Sequence, residues 1–350
     1  MNWESLDWEV LDRLRETFLS GDKTAGPYWH TLTDLECYDF TFGERIGWKW
    51  DAVLAELRAR GWSPAPGGSV LDWGCGSGIA GRRVVEFLGT GKVGRVVVHD
   101  HSALAVDFAE HTGRKAFPQL AVERASHRFL NENEPISVLV VSHVLNELDE
   151  LACAELSGLL ARSDAVLWVE PGTHAVSRNL LAWRERARAL GFQLAAPCTH
   201  QAACGLLAPE NERHWCHHFA PPPAGIYADS GWVRFGQRAG IDLRALPYSF
   251  LVLDRRPVTL PAGSALVAGS PPSDRDAGAS RILGDPRIYK GYAKIFNCSA
   301  AGVEELTLQQ RVDRDLFKSL KRARGPLLYR WTREGGRITA ADSLFEARSL

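Results

Sequence analysis

The nine residues Val70-Leu-Asp-Trp-Gly-Cys-Gly-Ser-Gly78 constrain this chain more than any other stretch. A short apolar run enters three glycines at alternate positions, and an apolar helical pattern follows over 79–88. Glycine lets the backbone turn sharply and lets a bulky ligand approach main-chain N–H groups with no Cβ in the way. Strand, glycine turn and helix in that order predict a nucleotide or nucleoside seat.

The pattern continues downstream. Short apolar runs at 93–99, 136–142 and 165–169 alternate with helical spacing at 103–112, 151–162 and 175–190. Such alternation predicts a parallel sheet covered on both faces, a doubly wound α/β fold. Upstream, Trp8, Val10, Leu11, Leu14 and Phe18, and later Trp48, Trp50, Val53, Leu54 and Leu57, repeat at helical intervals. They predict a helical N-terminal cap over 1–63, closed by a Pro/Gly breaker cluster, with the nucleotide-binding domain spanning 64–258. Two further strands are expected at 232–235 and 249–253. A Gly/Ala/Ser/Pro-rich linker over 259–280 then leads to a small, β-rich C-terminal module, 281–350.

Three features sharpen the glycine turn. Asp72 precedes it, the glycines follow Gly-x-Gly-x-Gly instead of the dinucleotide form, and Asp100 ends the second strand, 22 residues past Gly78. An acid about 20 residues on meets ribose hydroxyls in such folds. Together these favour S-adenosylmethionine over NAD. The strand at 136–142 ends in Val141-Ser-His-Val-Leu-Asn-Glu-Leu148, without the Asn/Asp-Pro-Pro-Tyr/Phe tetrad used on exocyclic amines of bases. His143 there is more readily a structural hydrogen-bonder than a base, and Glu170 after the strand at 165–169 is as simply read as a turn-capping acid, so no catalytic residue is assigned.

Seven cysteines, an odd number, point to thiol or metal chemistry more than to disulfides. Cys198, Cys204 and Cys216 fall in a Cys/His-rich insertion, 197–219, at intervals unlike common zinc motifs. Cys298 would complete a four-thiolate set. His200, His214, His217 and His218 are alternative ligands, and three Cys with one His would be zinc-like.

The glycine turn and Asp100 resemble the class I methyltransferase superfamily, in which the segment equivalent to 72–78 holds the methionine end of the cofactor and the acid equivalent to Asp100 holds the ribose. Asp-Trp-Gly-Cys-Gly-Ser-Gly, Ser-His-Val-Leu-Asn-Glu-Leu, Val-Glu-Pro-Gly-Thr, Pro-Cys-Thr-His, Trp-Cys-His-His-Phe and Pro247-Tyr-Ser-Phe-Leu-Val-Leu253 together are similar to the small-ribosomal-subunit methyltransferase-like family, whose mitochondrial members assist small-subunit assembly. The resemblance covers 67–325. It implies a Rossmann-like sheet, cofactor contacts at Asp72, Gly74, Cys75, Gly76, Gly78, Asp100 and Ser142, and a 4Fe-4S cluster on Cys198, Cys204, Cys216 and Cys298. Ser137, where many relatives have Asp, and the long insert after Leu253 depart from the pattern.

A net charge of −1 argues against a uniformly basic nucleic-acid binder. Lys318, Lys321, Arg322, Arg324, Arg330, Arg333 and Arg337, against the one acid Glu334, nonetheless make a local basic patch suited to rRNA phosphates, with Tyr329 and Trp331 expected to stack on bases. The acidic N-terminus and short apolar runs predict a cytoplasmic protein without a membrane partner, and a monomer is favoured. The expected activity is methyl transfer to rRNA or a ribosomal protein of the small subunit. The alternative is a catalytically inactive assembly factor that binds rRNA.

Overall fold

The computed structural model describes residues 1–20, 28–132, 134–256, 278–321 and 327–344. The chain opens with α1 (Trp8–Ser20), α2 (Leu32–Tyr38), a π turn at Asp39–Gly43 and α3 (Glu44–Ala59). An alternating segment follows: β1 (Gly68–Trp73), α4 (Ile79–Leu88), β2 (Val93–His99), α5 (Ala103–Ala116), β3 (Ala121–Arg124), α6 (His127–Asn131), β4 (Ile136–Ser142), α7 (Glu150–Ala161) and β5 (Ser163–Pro171). Next come α8 (His174–Ala189), β6 (Gln193–Ala196), β7 (His218–Phe219), α9 (Ser230–Arg238) and β8 (Pro247–Asp254). The C-terminal part holds β9 (Ala279–Ile282), β10 (Arg287–Tyr289), β11 (Tyr292–Ser299), β12 (Gly302–Gln309), α10 (Arg314–Leu320), β13 (Leu328–Glu334) and β14 (Arg337–Ser343).

These elements divide into two compact units. The first comprises Met1–Leu54, Pro64–Val169 and Pro221–Leu246. Its sheet is wholly parallel, in the order β3-β2-β1-β4-β5. Val138, Leu139, Val140 and Val141 are all buried, as a strand covered on both faces requires. From β1 the chain winds outward through β2 and β3, then returns to place β4 on the other side of β1. That reversal opens a crevice at the carboxyl ends of β1 and β4, where doubly wound sheets take their ligands.

The N-terminal helices pack on this framework through apolar stripes. Leu14, Trp29 and Leu35 meet Ala105 and Phe108 of α5. Leu6, Leu11 and Cys37 meet Phe235, with Trp3, Phe40, Phe42 and Trp232 around them. Each large apolar side chain removed from water contributes about 1.5–3 kcal/mol. The expected strand at 232–235 is in fact α9. Asp229 caps it by accepting from the Gly231 and Trp232 N–H groups, and Trp232 and Phe235 stand one helical turn apart.

The second unit comprises Ala55–Ser63, Glu170–Ala220 and Pro247–Leu350. Here β6 and β7 both run antiparallel to β8. The C-terminal strands form their own sheet, in which β11, β12, β14, β13 and β9 pair in succession and β9 pairs back onto β11. The ring closes into a small barrel, with β10 hairpinned onto β11. Ala293, Ile295, Leu306, Leu308, Phe317 and Ile338 fill it. Among the described residues no helix is long and apolar enough to cross a membrane.

Candidate functional site

In the first unit, β1 ends in the buried Asp72 and Trp73 and the chain then turns through Gly74, Gly76 and Gly78, at φ +68°, +51° and +76°. A Cβ on Gly74 would stand 2.6 Å from Val144 Cγ1, so both the left-handed backbone and the contact with the segment after β4 demand glycine.

Asp72 is buried and turned inward. Its Oδ2 accepts the Gly81 N–H at 3.0 Å, which ties the first turn of α4 to β1, and Oδ1 has no hydrogen-bond partner. Burial, reinforced by the Asp100 charge and opposed by Gly81 N–H and Arg82, raises its carboxyl pKa from 3.8 to about 7. Cys75 is equally buried, and burial pushes its thiol well up; the side chain is an apolar filler, and its N–H is spent on His99 O at 2.9 Å. Ser77 Oγ, inside the same turn, is buried with no hydrogen-bond partner.

Asp100 lies directly against the turn. Oδ2 accepts the Gly76 N–H at 2.9 Å and Oδ1 the Ser102 N–H at 2.9 Å. The cap of α5 is Ser102, which accepts from Ala105 N, so Asp100 is not spent on capping. On the other side of β1, Ser142 Oγ accepts from Trp50 Nε1 at 3.0 Å and lies 3.3 Å from His143 Nδ1. His143 Nε2 stands 3.2 Å from Lys49 Nζ. His143 is the one non-glycine with positive φ among the described residues, at +57°. Burial and then the Lys49 charge hold its pKa well below the ordinary range, so the imidazole is neutral. Gly74, Asp100 and Ser142 thus lie at the carboxyl ends of the neighbouring strands β1, β2 and β4, whereas Asp72 and Cys75 are turned into the core. Sequence reasoning missed Lys49 and Trp50, whose only local signal was their place on an amphipathic helix.

The N-terminal segment closes over α4. Arg82 pairs with Asp39 of the π turn at 2.6 Å and Arg83 with Glu44 at 2.7 Å. A Cβ at Gly43 would reach Ser77 Oγ at 3.4 Å, so the π turn passes close above the glycines.

In the second unit Cys204, Cys216 and Cys298 pack around one apolar cluster, Leu181, Leu206 and Leu283. Cys198 completes the group: its charge acts on each of the other three. Burial, then the mutual charges, raise the thiols of Cys204, Cys216 and Cys298. Cys298 lies on β11, whereas the others sit between β6 and β7. Ser177 and Ser249 hydroxyls both donate to Cys216 O at 2.5 Å and fix its backbone.

Cations crowd the same region. Arg184, fully buried, donates to Cys198 Sγ at 3.3 Å and to Ala202 O at 2.8 Å. Arg60 and Arg281, also buried, share Glu56 and reach Pro197 O. Glu185 is shared between Arg184 and Arg188. Among the described residues no three His, Cys, Asp or Glu side chains are gathered to hold a single metal ion, as a zinc-like site needs. His200 points toward Cys298 at 3.8 Å, with its pKa lowered to about 4 by burial and then by Arg184 and Arg188. Glu170, at the end of β5, is fully buried.

The basic patch is differently placed than expected. Tyr329 is buried in the barrel core, stacked on Trp331 at 4.6 Å, and Trp331 Nε1 donates to Asn297 Oδ1 at 2.9 Å. Their rings are committed to the barrel and not offered to bases. Lys318 pairs with Asp315 at 3.4 Å and Arg333 with Glu304 at 2.5 Å, while Arg322 and Arg324 lie outside the described residues, as does most of the expected linker.

A family model described as mitochondrial small ribosomal subunit Rsm22 matches residues 50–327. No curated protein matches the chain. Similar solved structures include magnesium protoporphyrin IX methyltransferase from Synechocystis PCC 6803 with bound SAH, at 13% identity over 71% of this chain and 95% of that one, TM-score 0.38. A putative RNA methyltransferase from Pyrococcus horikoshii is 12% identical over 58% and 82%, TM-score 0.35. The methyltransferase complex with the Trm112 activator from Haloferax volcanii is 15% identical over 62% and 95%, TM-score 0.35. At such scores the fold assignment rests on the strand order and the glycine turn described above.

Proposed function

The chain belongs to the mitochondrial small ribosomal subunit Rsm22 family, and on that premise we propose that it is an S-adenosylmethionine-binding, methyltransferase-like protein acting on the small ribosomal subunit. The observation that carries the cofactor is the Gly76 N–H to Asp100 Oδ2 bond at 2.9 Å, which sets an acid beside a left-handed glycine turn at the mouth of the β1/β4 crevice. The partnerless Ser77 Oγ in that turn fits a polar ligand. Asp100 would hold the ribose, and the turn from Gly74 to Gly78 the chain beyond it. Asp72 and Cys75 shape the turn from inside. When bound, the cofactor supplies an electrophilic methyl group. The residues around it orient it and exclude water, and transfer by proximity needs little more.

We also propose a 4Fe-4S cluster on Cys198, Cys204, Cys216 and Cys298. Buried arginines in excess of their carboxylates are costly unless a further anion joins them, and four thiolates make such a cluster a net anion. Arg60, Arg184 and Arg281 surround the cysteines, and among the described residues Glu56 pairs with both Arg60 and Arg281 while Glu185 is divided between Arg184 and Arg188. Cys204, Cys216 and Cys298 line one apolar cluster, and Cys198 is near enough for its charge to act on each of them. When bound, the cluster supplies a redox-sensitive cross-link between β11 and the segment from β6 to β7.

The test is methyl transfer. The full chain, incubated with methyl-tritiated S-adenosylmethionine and small ribosomal subunits, is expected to co-sediment with the subunit and to label its RNA or a protein. Co-sedimentation without label would favour the assembly-factor reading, to which the Ser-His-Val-Leu turn, in place of an Asn-Pro-Pro-Tyr tetrad, lends weight. Absence of both would overturn the proposal.

A further inference from the structure

In chain order the strands that close the C-terminal barrel are β9, β11, β12, β13 and β14, and around the barrel they run β9-β11-β12-β14-β13 and back to β9. Among the described residues β12 with β14 is the one parallel pair of this ring, and α10 lies between β12 and β13 in the chain. First, second, third, fifth, fourth, with a helix before the fourth, is the order of the OB-fold. Such barrels take oligonucleotides or oligosaccharides on the second and third strands, between the first-to-second and fourth-to-fifth connections. Those strands are β11 and β12 here. Fold alone does not choose the ligand, so the choice rests on the side chains that this surface carries.

Both connections end in tight turns beside it. Lys290-Gly291, with Gly291 at φ +85°, is a two-residue hairpin turn that makes Tyr289 and Tyr292 direct partners across β10 and β11. Gly335-Gly336 does the same for Glu334 and Arg337, and Gly336 O accepts the Thr307 N–H at 2.9 Å, which holds the second turn against β12. Register then sets the rows across the sheet. Ile288, Ala293, Leu308 and Ile338 align and pack into the barrel core, so the rows on either side of them point outward. Arg287, Lys294, Thr307 and Arg337 make one outward row. Tyr289, Tyr292 and Gln309 make the other.

The two rows combine stacking with positive charge. The Tyr289 and Tyr292 rings stack at 4.8 Å with planes 10° apart, and Tyr289 stays 42% exposed, so the pair leaves aromatic surface in solvent. Lys290 and Arg311, both exposed, join the three cations of the first row. Against them stand Glu305, which pairs with both Arg287 and Lys294, and Glu334. Asp313, in the turn after β12, is spent on the cap of α10. Farther along β11 the same face is taken: Phe296 lies 4.3 Å from the His214 ring and Cys298 belongs to the cysteine group. The open part is the end between the two turns. Stacked aromatics among an excess of cations fit bases joined by phosphates, whereas a neutral sugar chain gives the cations nothing to pair with.

We infer that this end of the barrel binds single-stranded RNA, with a base laid on Tyr289 and phosphates beside Lys290 and Arg337. The choice of RNA rests on the small-subunit reading above, which the inference deepens by naming the surface that meets the strand. A duplex hides the faces of its bases, so the strand must be unpaired where it meets Tyr289.

The experiment is fluorescence anisotropy of the full chain with a labelled, mixed-sequence RNA strand of about 12 nucleotides, within the site size of such barrels, at several salt concentrations. Tyr289→Ala should weaken binding about 5- to 100-fold, the worth of one stacked base, while Tyr289→Phe keeps it. Arg337→Gln should flatten the slope of log affinity against log salt by about 0.7, one phosphate contact to a single strand. No binding by wild type, equal binding of the same strand in a duplex, or unchanged affinity in Tyr289→Ala overturns the assignment. Co-sedimentation with small subunits by a chain that ignores the oligonucleotide would remove this surface and leave the small-subunit reading standing. Tyr289-dependent binding of the oligonucleotide without co-sedimentation would support the surface and remove that reading.

Discussion

Cys298→Ser is expected to leave the full chain without its iron and to lower its melting temperature by about 10 °C, because the second unit then keeps buried arginines in excess of Glu56 and Glu185, the carboxylates that pair with them. Leaving a buried charge uncompensated costs about 3–5 kcal/mol, and each kcal/mol moves the midpoint of a unit this size by about 2–4 °C. Arg184, Arg281 and Arg60 are the charges concerned, each no more than 6% exposed. Anaerobically purified wild type should carry about four irons and four sulfides per chain. Without metal the four thiols do not ionise together, since burial and mutual repulsion raise those of Cys204, Cys216 and Cys298. Full retention of iron by Cys298→Ser would remove Cys298 from the ligand set. Zinc without sulfide in wild type would replace the cluster with a structural zinc module.

Asp72→Asn is expected to stabilise the cofactor-free protein above neutral pH by roughly 4 kcal/mol and to have little effect near pH 4. The folded-state pKa of Asp72 is raised from 3.8 to about 7, chiefly by burial. A raised pKa means that the folded state holds a proton which the unfolded state has released. The contribution of Asp72 to stability is therefore full below about pH 4, declines as the pH rises, and is lost above about pH 7. Asparagine can still accept the Gly81 N–H but carries no charge to bury. Denaturant unfolding of both proteins from pH 4 to 8.5 reads the difference. A constant gap across that range would mean that Asp72 titrates normally.

The glycine turn was legible because its chemistry is local. Val70 to Gly78 holds strand, turn and helix start within one short stretch, and the spacing to Asp100 spans a single βα unit. α1, α3, α4, α5 and α7 and most strands of the first unit followed for the same reason, from periodicity alone. β3 escaped notice because it is a four-residue edge strand whose ends, Ala121 and Arg124, are exposed and break the apolar run. Trp232 and Phe235 looked like strand because aromatics favour sheets; the Asp229 cap and the packing of both rings against α1 and the π turn decided for helix.

The rest depends on contacts distant in sequence. Lys49 and Trp50 meet His143 and Ser142 across more than 90 residues, and nothing near either pair announces the other. Cys298 reaches the other cysteines only because β11 closes the C-terminal barrel. The basic patch shows the opposite failure. Arg330, Tyr329 and Trp331 are neighbours in sequence, but alternation along β13 sends the aromatic rings toward the core.

The central claim is that the crevice at the carboxyl ends of β1 and β4 seats an adenosyl cofactor against Asp100. Calorimetric titration of wild type and Asp100→Ala with S-adenosylhomocysteine tests it most directly. One site per chain is expected in wild type, with a loss of at least tenfold in affinity when the Asp100 carboxylate is removed, the cost of two ribose hydroxyls losing a charged acceptor. No binding by wild type, or equal binding by both proteins, would contradict it.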